Sequence, residues 1–285
     1  MANFGGLLPE FTDPEQAFFF VLPVPYDLTS TYQSGSRRGP GAILEASANM
    51  ELFDDELKRE TYREGIHTLE PLEADARGPG EMTEKVRGKT AEILQKGKIP
   101  VVLGGEHSIS FGVVRAMKEK FPGISVLQLD AHADLRDSYQ ETPFSHAAVA
   151  RRIAEICPLV QAGIRSMSAE EGEFLAQSGI SSFSADFIQG NPDWPEAVCR
   201  GLTEDVYLTI DLDVLDPAFM PATGTPEPGG WSWHDVLRLV REVSRGRRIR
   251  GFDVVELSPI PGMVAPDFLA AKLVYRIMGY IMMNS

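Results

Sequence analysis

The chain has 285 residues, enough to bury a substantial core as one large α/β domain or two ordinary ones. Hydrophobic residues make up 43% and charged residues 24%, with 26 glycines and 20 prolines, a balance that excludes disordered and fibrous classes. The formal charge of −14 argues against a nucleic-acid binder, which needs a basic patch to displace counterions from phosphates, and suits a cationic partner better.

The first residues, Met1-Ala-Asn-Phe-Gly-Gly, lack the basic stretch and apolar run of a secretory signal, and no segment approaches the ~20 apolar residues that span a bilayer. A cytoplasmic protein without membrane partners is expected. Cys157 and Cys199 form no CxxC pair, so neither a disulfide framework nor a thiolate zinc site is indicated.

In chain order, short apolar runs predict strands at Phe18–Leu22, Ile99–Leu103, Ser125–Leu129, Leu159–Ala162, Val206–Ile210 and Phe252–Val255. Between them, Val114, Met117 and Phe121 share a helical face, as do Val149, Ile153 and Ile156, and then Leu269, Leu273, Ile277 and Ile281. Ser168 with Glu171 and Ser232 with Asp235 have the spacing of helix caps. The alternation, with no repeat or linker, predicts one α/β domain over residues 1–285 with a mostly parallel sheet. In such sheets ligands bind at the carboxyl ends of strands, which is where the polar clusters fall.

The strongest cluster is Asp130-Ala-His132-Ala-Asp134, which continues the period of two of the strand before it, so that three ligand-type side chains point one way. Ala131 and Ala133 point the other way and let the backbone pack closely behind. Asp211-Leu-Asp213 repeats the alternation, and a third strand ends in Gly104-Gly105-Glu106-His107-Ser108, where paired glycines permit a tight turn. Four carboxylates brought together repel one another and resist burial unless cations compensate. Imidazole and carboxylate without thiolate suit Mn²⁺, with Fe²⁺, Co²⁺ and Zn²⁺ open. Six ligands fit two ions sharing two aspartates and a bridging water. With a hydroxide the site sums to a charge of about −1, which attracts a cationic electrophile.

Taken in order, GGEHS, DAHAD, DLDVLDP, Pro221-Ala-Thr-Gly-Thr-Pro226-Glu-Pro-Gly-Gly230 and Asp253-Val-Val-Glu256 resemble the ureohydrolases, the arginase and agmatinase family. Pro25-Tyr26-Asp27 and Gly35-Ser-Arg-Arg-Gly39-Pro40 extend the resemblance over nearly the whole chain. It implies a three-layer α/β/α fold, homotrimers or pairs of trimers, and two Mn²⁺ per chain: His107, Asp130, Asp134 and Asp211 on one, Asp130, His132, Asp211 and Asp213 on the other. It further implies that Asp134 orients the attacking hydroxide, Glu256 pairs with the guanidinium and His146 relays protons to the departing amine, leaving urea and an amine. The family often has Gly after this histidine; here Ala147 follows, as in some archaeal-type agmatinases. Thr225 aligns with a threonine near the substrate. His67 and His234 match no site motif.

Leu135–Ser145 lacks the Asn- and Thr/Ser-rich stretch with which arginases hold an amino acid, and Arg136-Asp137 with Ser145-His146-Ala147 looks like the agmatinases. Agmatine, giving putrescine and urea, is therefore the first expected substrate. N1-aminopropylagmatine comes second, with Asp137 or Glu141 receiving its extra cation, ahead of arginine, guanidinobutyrate and formiminoglutamate. A one-zinc deacetylase would show an adjacent His-His pair, which is absent. A noncatalytic metal-binding or regulatory homologue would have lost a ligand, and none is lost.

Overall fold

The computed structural model describes residues 3–284; Met1, Ala2 and Ser285, which the expected domain includes, lie outside them. Strands and helices alternate: β1 Phe19–Val24, α1 Gly39–Ser47, β2 Ile66–Thr68, α2 Pro79–Gln95, β3 Ile99–Gly104, α3 Ser110–Lys120, β4 Ser125–Leu129 and α4 Val149–Ala154. The chain continues through β5 Leu159–Ile164, α5 Ala169–Ser178, β6 Ser181–Ser184, α6 Trp194–Cys199, β7 Asp205–Asp211, α7 Trp233–Gly246, β8 Arg248–Val255 and α8 Ala265–Ile281.

All eight strands are parallel in one sheet, in the order β2-β1-β3-β8-β7-β4-β5-β6. Alternate residues of each strand face opposite layers. Phe19 and Val21 lie on the face that carries α1, α6, α7 and α8, while Phe20, Leu22 and Val24 lie on the face that carries α2, α3, α4 and α5. Each fully buried aliphatic or aromatic side chain in these layers contributes roughly 1.5–3 kcal/mol. Connections toward the β2 edge cross the first face and those toward the β6 edge cross the second. A single handedness of crossover requires that arrangement.

The six expected strands are present, with β1, β3, β5, β7 and β8 running further than their apolar runs. Two strands were not expected, β2 and β6. They form the two edges, and their sequences, Ile66-His-Thr and Ser181-Ser-Phe-Ser, carry no apolar run because one side of each is unpaired. Both expected caps form as reciprocal capping boxes, at α5 and α7. No described helix is long and apolar enough to cross a membrane.

Candidate metal centre and substrate cavity

The four adjacent central strands β3, β8, β7 and β4 end at one place, where the chains leaving β3 and β4 pass to one face of the sheet and those leaving β7 and β8 to the other, which opens a crevice. At the end of β3, a Cβ on Gly105 would stand 1.9 Å from the Tyr26 carbonyl oxygen, and one on Gly104 2.6 Å from Val255. Neither glycine has positive φ, so close approach of the neighbouring loop, rather than the tight turn expected, demands the pair. His107 follows and is 1% exposed.

The ladder of β4 stops at Leu129, and the chain beyond runs along the loop after β5 through a bridge between His132 and Ser166. Asp130 Oδ1 accepts from the His132 N–H at 2.6 Å, and its Oδ2 accepts from Gln128 Nε2 at 2.7 Å. Asp211 is the last residue of β7, but Leu212–Val214 forms a 3-10 turn, so Asp213 does not continue the extended alternation expected of it. Instead Asp211 Oδ1 accepts from the Asp213 N–H at 2.9 Å, and Asp213 Oδ1 accepts from Ala131 N–H at 3.0 Å, which stitches the two aspartate loops together.

All six expected ligands converge. His107 Nδ1 lies 3.0, 3.3 and 3.5 Å from carboxylate oxygens of Asp130, Asp134 and Asp211, while His132 Nδ1 lies 2.8 Å from Asp213 Oδ2. Two groups, His107–Asp130–Asp211 and Asp130–His132–Asp213, have ligand atoms close enough to hold an ion each, and Asp130 belongs to both.

The donor set fits cations on two grounds. First, His107 Nε2 is 2.8 Å from Thr209 Oγ1, which donates to Asp253 Oδ1 at 2.7 Å; Asp253 also accepts from the Tyr207 hydroxyl at 2.6 Å. Thr209 must then accept the Nε2 proton, so Nδ1 carries the lone pair, and this buried atom has no hydrogen bond. A histidine tautomer fixed in this way is a metal ligand's usual preparation. Second, the charges are unbalanced. Burial and the neighbouring Asp213 and Asp134 raise the Asp130 pKa to about 7, and burial with Glu106 nearby raises that of Glu256 to about 8. Burial alone would lower the pKa of His132, but Asp213 and Asp130 raise it to about 11. Each shift expresses the same want of positive charge.

Above this floor is a cavity of about 280 Å³ whose wall includes Glu256, His146, Thr225, Tyr139, Arg136 and Glu171. Glu256 Oε1 accepts from the His107 N–H at 2.7 Å. Asp134 and Glu256 have φ of 51° and 65°, a left-handed backbone that costs residues with a Cβ of order 1–3 kcal/mol and that clusters at functional positions. His146 lies at the start of a short turn before α4, its pKa lowered by burial, so the imidazole is neutral. Asp137 lies elsewhere: it is exposed, 2.8 Å from Arg152, and outside the cavity wall. Glu141 is also exposed. His67 is half-buried, its Nδ1 2.8 Å from the Thr12 carbonyl oxygen, and His234 is exposed.

The sequence profile of the arginase family matches residues 17–279. The chain belongs to the arginase family. It is 39% identical over 277 residues to the N(1)-aminopropylagmatine ureohydrolase of Synechocystis sp., covering 94% of this chain and 90% of that one. The agmatinase of Bacillus subtilis is 33% identical over 250 residues, covering 86% and 85%. Among solved structures, the agmatine ureohydrolase of Thermoplasma volcanium superposes with a TM-score of 0.89 at 32% identity, covering 99% of this chain and 94% of that one. The protein is thus a ureohydrolase of the arginase family.

Sequence reasoning missed the residues that hold the arginase-family cluster in place. Gln128 and Thr209 each stand two positions before an aspartate at the floor, polar residues in otherwise apolar strands, and Asp253 interrupts β8 in the same way. That interruption was a usable signal. Thr29 and Thr31, beside His146, come from the loop after β1 and gave none.

Proposed function

We propose that the protein hydrolyses the guanidino group of a linear guanidino amine, releasing urea and an amine, with N1-aminopropylagmatine as its first substrate and agmatine, giving putrescine, as its second. The observation that carries the reading is the convergence of four aspartates and two histidines below a cavity that also holds Glu256 and His146. In this reading His107, Asp130, Asp134 and Asp211 hold one divalent ion and Asp130, His132, Asp211 and Asp213 the other, manganese being the metal that best suits the donors. Such a pair would supply a water acidified to near neutrality as the nucleophile.

The rest falls to the chain. Glu256, anchored on the His107 N–H, offers its carboxylate to the forked donors of the guanidinium. Asp134 orients the attacking water, Thr225 lines the substrate's path, and His146, neutral at rest, carries the proton to the departing amine. The order of substrates reverses that expected from sequence. It is supported by the higher identity to the relative named for aminopropylagmatine, 39% against 33% for the agmatinase. Asp137 is left out of the substrate contacts because its carboxylate is engaged by Arg152. Residues 1–285 act as one catalytic domain in the cytoplasm, assembled as homotrimers or pairs of trimers.

The test is urea release by the manganese-loaded protein from aminopropylagmatine, agmatine, arginine and guanidinobutyrate in parallel, with bound metal measured on the same sample. Urea chiefly from an amine-ended substrate is expected. Urea chiefly from arginine would overturn the substrate class. Urea from none, with about two ions bound per chain, would replace the enzyme with a metal-binding homologue.

A further inference from the structure

His146 hangs between two threonines of one loop. Its Nδ1 lies 3.2 Å from Thr29 Oγ1 and its Nε2 3.0 Å from Thr31 Oγ1, so distance alone leaves the tautomer open. Glu106 decides it. This glutamate is fully buried and surrounded by donors: the Thr29 N–H at 2.6 Å, Thr29 Oγ1 at 2.7 Å, Ser108 Oγ at 2.5 Å and Ser30 Oγ at 3.4 Å. Thr29 has one hydroxyl proton, and the contact to Glu106 Oε1 takes it. Thr29 Oγ1 must then accept, and two groups face it, the backbone N–H of His146 at 3.2 Å and Nδ1 at the same distance.

We infer that Glu106, acting through Thr29, fixes His146 as the Nδ1–H tautomer and leaves Nε2 as the nitrogen that takes up and releases the catalytic proton. The opposite tautomer would turn the Thr29 hydroxyl toward Nδ1 and leave its lone pairs against Glu106 Oε1 at 2.7 Å, with both residues buried from solvent. The two sides of the ring also differ in access. Thr31, Tyr139 and His146 line the cavity, whereas Thr29 and Glu106 lie behind it. Thr31 Oγ1 is 3.2 Å from the Tyr139 hydroxyl, and the Tyr139 ring meets the imidazole edge-on at 5.6 Å. Nδ1–H, Thr29 and Glu106 therefore form one hydrogen-bonded series, and on the cavity side the Thr31 hydroxyl stands within reach of both Nε2 and the Tyr139 hydroxyl. Glu106 and Thr29 are positioning residues, comparable to the buried aspartate that holds a serine protease histidine in one tautomer.

The inference rests on the proposed proton-carrying role of His146, but its test does not. Imidazole ¹⁵N spectra of the full chain, loaded with diamagnetic Zn²⁺ and assigned by difference with His146→Asn, should place Nδ1 of His146 in the protonated range and Nε2 in the unprotonated range. Thr29→Val and Glu106→Leu, which removes the acceptor altogether, should each move the ring toward the Nε2–H form, and Thr29→Ser should restore the original pattern. In manganese-loaded protein, Thr29→Val should lower kcat by roughly tenfold to hundredfold with KM and metal content little changed. A wild-type ring protonated on Nε2, or a tautomer that either variant leaves untouched, would overturn the inference. Failure to release urea from any guanidine, with the Nδ1–H form and its response to the variants intact, would remove the proposed function and leave the tautomer control standing.

Discussion

Asp130 is where the two ligand groups overlap, and its carboxylate is held from both sides by Gln128 and the His132 N–H. Asp130→Asn is therefore expected to lose bound metal at both positions and more than roughly 100-fold of the activity, checked by metal analysis and urea release on one preparation. His146→Asn should keep its metal and lose roughly 10²–10⁴ in rate, because in the proposed reaction His146 carries the proton and holds no metal. A subtler change is Asp253→Asn, which leaves one acceptor oxygen for the two hydroxyls of Thr209 and Tyr207 and sets a donor before the other, and so unsettles the tautomer of His107. Metal affinity should fall roughly 10–100-fold, read by competition with a chelating dye. Five of the six ligand-type residues were legible because they recur at every second position, three in Asp130-Ala-His132-Ala-Asp134 and two in Asp211-Leu-Asp213, and His107 because it follows paired glycines at a strand end. Their supports were legible only as polar interruptions of apolar strands, whose purpose depends on what the neighbouring strand presents.

At the scale of elements, local physics and the structure agree where the signal is short-range. Ser168 and Ser232 both accept from the N–H three residues on, while Glu171 and Asp235 return the bond to the cap's own N–H. Ser232→Ala should cost about 1 kcal/mol and lower the denaturant midpoint, with urea release unchanged, since Ser232 lies outside the cavity wall. The carboxyl-end loops are a different case. DLD reads as extended chain, yet it turns into a 3-10 segment because Asp211 captures the Asp213 N–H, and that bend aims Asp213 at His132. The edge strands β2 and β6 were invisible for a related reason: an edge buries little, so three or four residues suffice and no apolar run marks them.

The whole molecule binds protons in place of metal when ions are removed, and its stability then depends on pH. Asp130, Glu256 and His132 have folded pKa values of about 7, 8 and 11, above the ordinary 3.8, 4.5 and 6.5. A raised folded value means that the folded state binds more protons than the unfolded one. The stability that these three groups contribute is thus greatest at low pH and falls as pH rises through about 4 to 8 for the carboxyls and above 6.5 for His132, while His146, lowered by burial, acts oppositely. Asp213, lowered by His132 against the effect of burial, acts oppositely, but only below the ordinary carboxyl range. Chelated protein should melt several degrees lower at about pH 8 than at about pH 5.5, and restored metal should remove most of the difference; calorimetry on both forms checks it. The sequence by itself determined the alternating α/β order, the central strands and the residue types of the site, because apolar period and ligand alternation are properties of neighbouring residues. Only the tertiary structure decided that β7 and β8 return between β3 and β4 to bring three separate loops onto one floor, that Asp137 turns to Arg152, and that Glu106 stands behind His146. Those outcomes depend on which strands become neighbours and on which donor lies nearest in space, and neither is written in the spacing along the chain.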